Sequence, residues 1–283
     1  MCCDVNVTAD RPDELREVAE QLAADAARFV RRRRPELIDA AGRAGTRTKS
    51  SPTDPVTVAD TETEQLLRDR LAVLRPGEPV LGEEGGSSAG GGAVRWVLDP
   101  IDGTVNFIYG VPMYGVSIAA QIDGVSFAGA VADVAGGEIF SAALGRGAEV
   151  ISDGQRRRLR CNAIDDLSMA LVGTGFSYEP QRRTVQAELL AKLLPTVRDV
   201  RRIGSASLDL CMVAAGRLDA HYEHGLHVWD WAAGALIAAE AGAVVLLPWD
   251  DGNGAPLLLA AAPGIAAQLT AALDRHGGLS PLL

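Results

Sequence analysis

The sequence predicts a mixed α/β fold, of the α+β kind, made of two subdomains. In the first half, "YGVSIAAQIDGVSFAGAVADV" and "GEIFSAALGRGAEV" alternate as strands do, and Asp123-Gly124 is a hairpin signal. After about residue 150, strand-like and helix-like segments alternate, which is typical of an α/β arrangement. We therefore expect an antiparallel sheet in an N-terminal subdomain (residues 1–150), a mixed α/β C-terminal subdomain (residues 151–283), and a binding cleft between them.

Composition limits the possible functions. The chain has 283 residues, of which 47% are hydrophobic and 23% charged, so it can bury a sizeable core and is not expected to be disordered. Its net charge of −10 repels nucleic acid and anionic ligands alike. An anionic substrate would therefore need bound cations.

Cysteine usage and apolar segments bear on location. The four cysteines, Cys2, Cys3, Cys161 and Cys211, form no C-x-x-C pair, which fits a reducing cytosol. The N-terminal segment has no basic start followed by an apolar run, and longer apolar runs are broken by Gly or Pro. We expect a cytoplasmic protein with no signal peptide and no membrane contact.

The alternating segments of the first half predict an antiparallel meander, and four other segments precede it. "PDELREVAEQLAADAARFVRRRR" has helical periodicity, and Arg31–Arg34 suit the negative end of a helix dipole better than a nucleic-acid patch. "RTKSSPTDPVTVAD" is interrupted by proline and predicts a loop or an irregular hairpin. "TETEQLLRDRLAVL" predicts a helix, and Thr61 and Glu64 have capping-box spacing, which places Asp60 at its entrance. "GGSSAGGGA" predicts a flexible surface loop.

The second half contains seven alternating segments. The strand-like ones are "MALVGTGF", "DVRRIG", "LDAHYEH" and "VVLLP". The helix-like ones are "TVQAELLAKLLPTV", "SASLDLCMVAAG" and "WDWAAGALIAAEAGA". Each strand-like segment lies next to a helix-like one, so this half is expected to build a sheet covered by helices.

Acidic side chains recur where these elements begin or end: Asp60, Glu83, Glu84, Asp99, Asp102 and Asp230. Singly, each is explained as a helix cap or a solvated turn residue. Together they indicate a common site, because separate segments deliver them and "WVLDPIDGTVNF" places Asp99 and Asp102 in one rigid corner. Converging carboxylates would repel one another unless a hard cation lay between them, and Mg²⁺ fits oxygen ligands best.

The same corner offers more than carboxylates. The carbonyl of Ile101 is a further hard ligand, and Gly103 allows close approach of the backbone. The N–H groups around Gly103 and Thr104 could hold a phosphate group. The corner therefore predicts a site for both metal and phosphate.

These residues carry a family resemblance. "DPIDGTVNF" resembles the first signature of the inositol monophosphatase family, "WDWAAGALIAAEAG" resembles the second, and "DPVTVAD" and "GEE" match two further acidic motifs in the same order. The resemblance runs from about Leu15 into the last helix, and the chain is similar to the family's bacterial inositol-1-monophosphatases. It implies the layered αβαβα sandwich of sugar and inositol phosphatases.

The resemblance implies residue roles. The implied metal ligands, for two or three Mg²⁺ ions per active site, are Glu83, Asp99, the Ile101 carbonyl, Asp102 and Asp230. The implied catalytic residues are Asp60, Thr104 and Glu83: Thr104, hydrogen-bonded to Asp60, would orient the attacking water and help deprotonate it. The implied substrate contacts are Asp102, Gly103, Thr104, Ala206 and Glu223.

The implied reaction is Mg²⁺-dependent hydrolysis of inositol-1-phosphate by an activated water, without a covalent intermediate, in a lithium-sensitive homodimer. Related families act on fructose 1,6-bisphosphate, 3′-phosphoadenosine 5′-phosphate or histidinol phosphate, and these remain alternatives. A transcription- or RNA-associated binding role is a further alternative. It ranks lower because the basic residues are scattered and lack interleaved aromatic residues.

The chain departs from the family pattern at two positions. Gly85 follows "GEE" where Ser or Thr is frequent, and Trp231 follows Asp230 where a smaller residue is more common. Neither change replaces an implied ligand. Trp231 is expected to affect the shape of the cleft or subunit packing, and hence substrate preference.

Two rival signals are weaker. Cys211 and Arg217 have the C-x5-R spacing of cysteine-dependent phosphatases, but the cysteine falls within an apolar helix-like run and is predicted to be a core residue. "HYEHGLH" gathers residues that could bind zinc. On a strand, however, His221 and Glu223 share one face and His224 takes the other, so a hydroxyl-binding Glu223 is the preferred interpretation.

Overall fold

The computed structural model describes residues 11–37, 46–48, 55–249 and 254–282. The helices in these ranges are α1 (Arg11–Leu37), α2 (Val58–Leu74), α3 (Thr104–Tyr109), α4 (Pro180–Leu193), α5 (Ala206–Ala214), α6 (Val228–Glu240) and α7 (Pro263–Arg275). The strands of the first half are β1 (Thr46–Thr48), β2 (Pro55–Thr57), β3 (Val80–Gly82), β4 (Gly86–Ser87), β5 (Val94–Asp102), β6 (Gly115–Ile122), β7 (Val125–Asp133), β8 (Ile139–Ala143), β9 (Gly147–Ser152) and β10 (Gln155–Arg158). Those of the second half are β11 (Leu171–Thr174), β12 (Asp199–Arg201), β13 (Ala220–His224), β14 (Val244–Leu246) and β15 (Leu257–Ala261).

The larger sheet has eight strands in the order β10-β9-β8-β7-β6-β5-β3-β4. Its neighbours pair antiparallel except β3 and β5, which run parallel. The predicted meander is therefore confirmed. Between β6 and β7, Asp123 (φ 49°) and Gly124 (φ 80°) both adopt left-handed conformations, as a two-residue hairpin with the twist of its strands requires.

The smaller sheet has five strands in the order β12-β11-β13-β15-β14. The first three run parallel, whereas β15 is antiparallel to both of its neighbours. Strand β15 was not among the predicted strands. Its sequence "LLLAA" is an unbroken apolar run, because Leu258 and Ala260 face one core while Leu259 and Ala261 face another.

Helices and sheets stack in five layers, which confirms the αβαβα sandwich. Helices α1 and α2 cover one face of the larger sheet, α5 and α6 lie between the two sheets, and α4 and α7 cover the far face of the smaller sheet. The central layer is rich in small residues because it is tightly packed on both sides. A Cβ on Gly129 would lie 3.0 Å from Ala233 of α6, and one on Gly234 would lie 2.9 Å from Leu210 of α5.

The start of α2 differs from the prediction. The helix begins at Val58, so the capping box predicted at Thr61 and Glu64 is wrong. Thr57 is the N-cap: its backbone N–H donates to Asp60 Oδ2 (2.8 Å) and its hydroxyl accepts from the Ala59 N–H (3.1 Å). The cap moves four residues upstream because β2 feeds directly into the helix, and Asp60 still lies in the first turn.

The other segments of the first half agree with the sequence. Antiparallel pairing of β1 with β2 confirms the irregular hairpin, whose residues 49–54 lie outside the described ranges. Arg33 pairs with Glu62, and Arg34 donates to the Phe107 carbonyl, so both arginines stabilise the packing of α1. The segment "GGSSAGGGA" is largely exposed and includes β4.

Cys211 is 1% exposed within α5, which confirms that it is a core residue rather than a surface nucleophile. Cys2 and Cys3 lie outside the described ranges. No described helix is both long enough and apolar enough to cross a membrane. Strand β10 still belongs to the larger sheet, and the division of the chain at residue 150 stays a prediction.

A candidate metal and phosphate site

A cavity of about 800 Å³ opens where the ends of β3, β5 and β13 meet the start of α6. Nine predicted site residues line it: Glu83, Asp99, Ile101, Asp102, Gly103, Thr104, Ala206, Glu223 and Asp230. The tenth, Asp60, lies behind Thr104 and hydrogen-bonds to it. Glu84 is not among the side chains that line this cavity.

The end of β5 presents Asp99 and Asp102. Pairing with β6 shifts register between these two residues, and this irregularity lets both turn towards one end of the sheet. Asp99 is 1% exposed, and its Oδ1 accepts the Ile101 N–H at 3.1 Å. Gly103 follows with φ 93°, and a Cβ there would lie 2.9 Å from the Gly204 carbonyl oxygen, so only glycine fits this corner.

Thr104 connects the corner to α2. Its Oγ1 lies 3.1 Å from both Asp60 Oδ1 and the Ile101 carbonyl oxygen, and its single proton can be donated to one of them at a time. Asp60 is fully buried, and its other oxygen accepts the Thr57 N–H (2.8 Å) and hydroxyl (2.5 Å). These bonds fix the carboxylate and, through it, the Thr104 hydroxyl.

Asp102 is held from the opposite side by α5. Its Oδ2 accepts from the Ser205 hydroxyl (2.7 Å), the Ser207 N–H (2.7 Å) and the Ser207 hydroxyl (2.5 Å). Burial raises the pKa of Asp102, and these donors oppose that shift in part. All three bonds go to one oxygen, so Oδ1 takes no part in them.

Glu83 follows β3 in a turn that Glu64 holds from α2. The Glu64 carboxylate accepts the backbone N–H groups of Glu84 (2.7 Å) and Gly85 (2.9 Å) and pairs with Arg68 (2.7 Å). A Cβ on Gly85 would lie 2.6 Å from Glu64 Oε1. The carboxylate therefore explains why glycine replaces Ser or Thr here.

Asp230 occupies the first turn of α6, where its Oδ2 accepts the His227 N–H at 2.6 Å. Burial raises the pKa of Asp230 well above its usual range, and the negative charges of Asp102 and Glu83 raise it further. These three carboxylates are therefore close enough across the cavity to interact electrostatically. At the start of α6, His227 stacks on Trp229 with ring centroids 4.8 Å apart, and both residues line the cavity.

Glu223 reaches the cavity from β13. A Cβ on Gly175, just after β11, would lie 2.0 Å from the Glu223 carboxyl carbon, so this glycine leaves room for the side chain. Ala206, the first residue of α5, also lines the wall. As predicted, His221 shares the face of Glu223, whereas His224 points away and its Nε2 lies 2.8 Å from the Gly278 carbonyl oxygen.

The donor set fits a hard divalent cation. Its members are carboxylate and carbonyl oxygens, and Asp99 and Asp102 are buried at a corner where like charges raise the neighbouring pKa values. Within the described ranges, no three or more Asp, Glu, His or Cys side chains are gathered tightly enough to form a finished metal cluster. This applies equally to the zinc alternative at "HYEHGLH".

Sequence reasoning missed several supporting residues: Thr57, Glu64, Arg68, Ser205, Ser207, Arg182 and Arg202. Ser205 and the last two line the cavity. The polar run "GSAS" at the start of a helix-like segment was the one local signal for Ser205 and Ser207. The others support the site through contacts that only folding brings together.

The fold and this cavity define a class of protein: layered α/β proteins that line a cavity between two sheets with acidic oxygen ligands. The model of the inositol monophosphatase family matches residues 11–277. A Mycobacterium leprae protein named inositol-1-monophosphatase is 62% identical, and the alignment covers 99% of this chain and 100% of that protein. The solved structure of Mycobacterium tuberculosis SuhB has a TM-score of 0.82 and 59% identity, covering 96% of this chain and 100% of that one.

A Pseudomonas aeruginosa protein named Nus factor SuhB is 42% identical over 68% of this chain and 72% of its own length. The family match covers most of the chain. This chain belongs to the inositol monophosphatase family.

Proposed function

We propose that this protein is a Mg²⁺-dependent phosphomonoesterase that hydrolyses inositol-1-phosphate to inositol and phosphate. One observation carries the proposal: carboxylates from β5, α6 and the turn after β3 line a single cavity together with Glu223. Family membership and the name of the 62% identical relative support the same reaction.

The cation would be held by Glu83, Asp99, the Ile101 carbonyl, Asp102 and Asp230, in the two- or three-ion arrangement that the family implies. Bound Mg²⁺ supplies Lewis acidity, which makes water nucleophilic near neutral pH and neutralises charge on the phosphoryl oxygens. The carboxylates also balance the positive charge that they recruit. The cations bound there would allow an acidic protein to admit an anionic ester.

Thr104 and Asp60 would orient the attacking water and help deprotonate it, with Glu83 on the other side of that water. The Thr104 hydroxyl can pass its proton to Asp60 Oδ1 while its oxygen accepts from water, so the pair orients the nucleophile and provides a base. Asp60 is suited to this role because its other oxygen is already anchored by Thr57.

Substrate recognition would divide between the two walls of the cavity. The N–H groups of Gly103 and Thr104 would bind phosphate oxygens, and the tight corner at Gly103 would let them approach closely. Asp102, Ala206 and Glu223 would contact the inositol ring, the two carboxylates accepting hydrogen bonds from hydroxyl groups. A site of this kind favours a polyol over an apolar alcohol.

The homodimer and lithium sensitivity belong to the same proposal because the family resemblance implies them, and the cytoplasmic location belongs to it because the cysteine usage favours a reducing compartment. A binding role without catalysis is the second candidate, favoured by the name Nus factor SuhB of one relative. It ranks lower because the alignment with the 62% identical relative named for the phosphatase covers 99% of this chain and the acidic set is complete.

A phosphate-release panel tests the proposal. The substrates are inositol-1-phosphate, fructose 1,6-bisphosphate, 3′-phosphoadenosine 5′-phosphate and histidinol phosphate, each with Mg²⁺ and with EDTA. We expect Mg²⁺-dependent release with the highest kcat/KM for inositol-1-phosphate. A higher kcat/KM for another ester would change the proposed substrate to that ester. If phosphate is released from none of the four, the proposal that the protein is an enzyme is wrong.

A further inference from the structure

Behind Glu223 lies a buried row of titratable side chains. His221 precedes it on the same face of β13, and its Nε2 lies 3.5 Å from Glu223 Oε2. On the other side, His221 Nδ1 lies 3.7 Å from Asp209 Oδ1 of α5. His221 is fully buried and Asp209 is 1% exposed, so the row runs from the protein interior to the cavity wall.

This row is unusual for a protein core. Within the described part of the chain, three of its atoms have no hydrogen bond of normal geometry: both ring nitrogens of His221 and Oδ1 of Asp209. Buried polar atoms without partners are costly and rare, so their retention calls for a reason beyond packing. A well-packed apolar side chain would fill the same space at lower cost.

Two glycines make room for the row. A Cβ on Gly173 of β11 would lie 2.8 Å from Asp209 Oδ1 and 3.0 Å from His221 Nδ1. A Cβ on Gly175 would overlap the Glu223 carboxylate. Strand β11 pairs with β13 here, so the missing side chains of Gly173 and, just after the strand, Gly175 leave space for all three polar groups.

The protonation of the row follows from its surroundings. Burial raises the pKa of Asp209 to about 8. Burial lowers the pKa of His221, but the charges of Asp209 and Glu223 outweigh it and the net shift is upward. The other charged groups that face the row are Asp102 and Arg202. Both side chains therefore bind protons more tightly in the folded protein than free Asp and His side chains do.

We propose that His221, backed by Asp209, is a positioning residue that orients the Glu223 carboxylate for hydrogen-bonding to the hydroxyl groups of the substrate. The inference rests on the proposed function, because it assigns Glu223 to the polyol. His221 Nε2, 3.5 Å from Glu223 Oε2, attracts that oxygen as an ion-pair partner when the imidazole is protonated, and this leaves the other oxygen to accept from a ring hydroxyl. Asp209, whose Oδ1 lies 3.7 Å from Nδ1, holds the imidazole from the other side.

The test measures kcat/KM of the full-length protein for two substrates in saturating Mg²⁺. Inositol-1-phosphate offers ring hydroxyls to Glu223, whereas p-nitrophenyl phosphate offers none. In His221→Phe, we expect kcat/KM to fall about tenfold more for inositol-1-phosphate than for p-nitrophenyl phosphate, the size typical of a lost hydrogen bond to a charged group. The loss should appear mainly in KM.

Conservative variants separate positioning from packing. Discrimination is the ratio of kcat/KM for inositol-1-phosphate to kcat/KM for p-nitrophenyl phosphate. His221→Gln keeps an N–H donor towards Glu223 and should recover most of the discrimination lost in His221→Phe. Asp209→Asn should lower the same ratio at least about threefold. In a Glu223→Gln background, His221→Phe should reduce discrimination by less than about twofold, because the carboxylate that it positions is gone.

The outcomes are distinct. Equal losses on both substrates, or no loss on either, would overturn the positioning role in an otherwise active enzyme. If His221→Phe fails to fold, as judged by thermal unfolding, Asp209→Asn decides: unchanged discrimination overturns the proposal. Wild-type protein that releases no phosphate from inositol-1-phosphate overturns the proposed function itself, before any variant is made.

Discussion

Gly85 illustrates how the surroundings of one residue decide what can occupy it. Glu64 fills the space that a side chain at position 85 would need, because its carboxylate binds two backbone N–H groups of the turn after Glu83. Arg68 holds that carboxylate in place. A departure from the family pattern at Gly85 thus follows from one partly buried ion pair.

The substitution Gly85→Ser is therefore expected to destabilise the fold by about 1–3 kcal/mol, since its Cβ would press on a carboxylate that cannot move without losing its bonds. Urea denaturation measures the change. Gly91→Ser is the matched control, because a Cβ on Gly91 meets nothing within 4 Å. Equal stability of the two variants would contradict the role given to Glu64.

Among the elements, α2 has a start that links stability to catalysis. Thr57 caps the helix and also anchors Asp60, which in turn binds Thr104. The capping box expected from the sequence at Thr61 and Glu64 does not form, because the helix begins upstream and Glu64 is used to hold a turn. The spacing of Thr61 and Glu64 is therefore compatible both with a capping box and with the interior of a helix, and only the position of β2 shows which of the two forms.

Thr57→Ala is expected to cost about 1 kcal/mol of stability, the typical value of an N-cap, and to lower phosphate release because Asp60 loses the hydroxyl bond and keeps only the backbone N–H bond of residue 57. Thr61→Ala is the control, since Thr61 is exposed and caps nothing. It should change stability by less than about 0.5 kcal/mol. The prediction is wrong if denaturation midpoints fall equally in both variants.

Elements with a local signal were predictable from the sequence, and those whose signal depends on tertiary packing were not. The meander from β6 to β9 alternates visibly because strand periodicity is written in neighbouring residues. Strand β15 lacks that signal, since both of its faces are buried. The acidic motifs were found because each lies at an element end, and their partners Ser207 and Glu64 were missed because hydrogen bonds across the fold leave no pattern in sequence.

For the molecule as a whole, the site depends on contacts between distant segments. Thr104 meets Asp60 from 44 residues away, and Asp102 meets Ser207 across 105 residues. These bonds join the two faces of the cavity, so the αβαβα stack must be complete before the carboxylates face one another. Asn106 adds a further link, donating to the carbonyls of Met113 (2.6 Å) and Ile203 (2.9 Å).

The buried Asp209 makes global stability depend on pH. Its pKa of about 8 lies above the value near 3.9 of an unfolded chain, so the folded protein holds a proton that the unfolded chain releases between these values. This contribution to stability is complete below about pH 4 and is lost as pH rises through 8. Stability should therefore fall with rising pH over this range.

Asp209→Asn removes that proton and should flatten the fall in stability between pH 5 and 8. Denaturant midpoints of both proteins, measured at several pH values in the same buffer series, check the effect. Parallel profiles, or a steeper fall in the variant, would contradict the assignment of a raised pKa to Asp209.

The central claim is that distant carboxylates cooperate in magnesium-dependent ester cleavage, and Asp99→Asn tests it most directly. The measurement is Mg²⁺-dependent phosphate release from inositol-1-phosphate by this variant relative to wild-type protein, with thermal unfolding used to verify that it is folded. We expect a loss of at least about a hundredfold, because a buried ligand at the centre of the site loses its charge. A near wild-type rate with unchanged dependence on Mg²⁺ would contradict it.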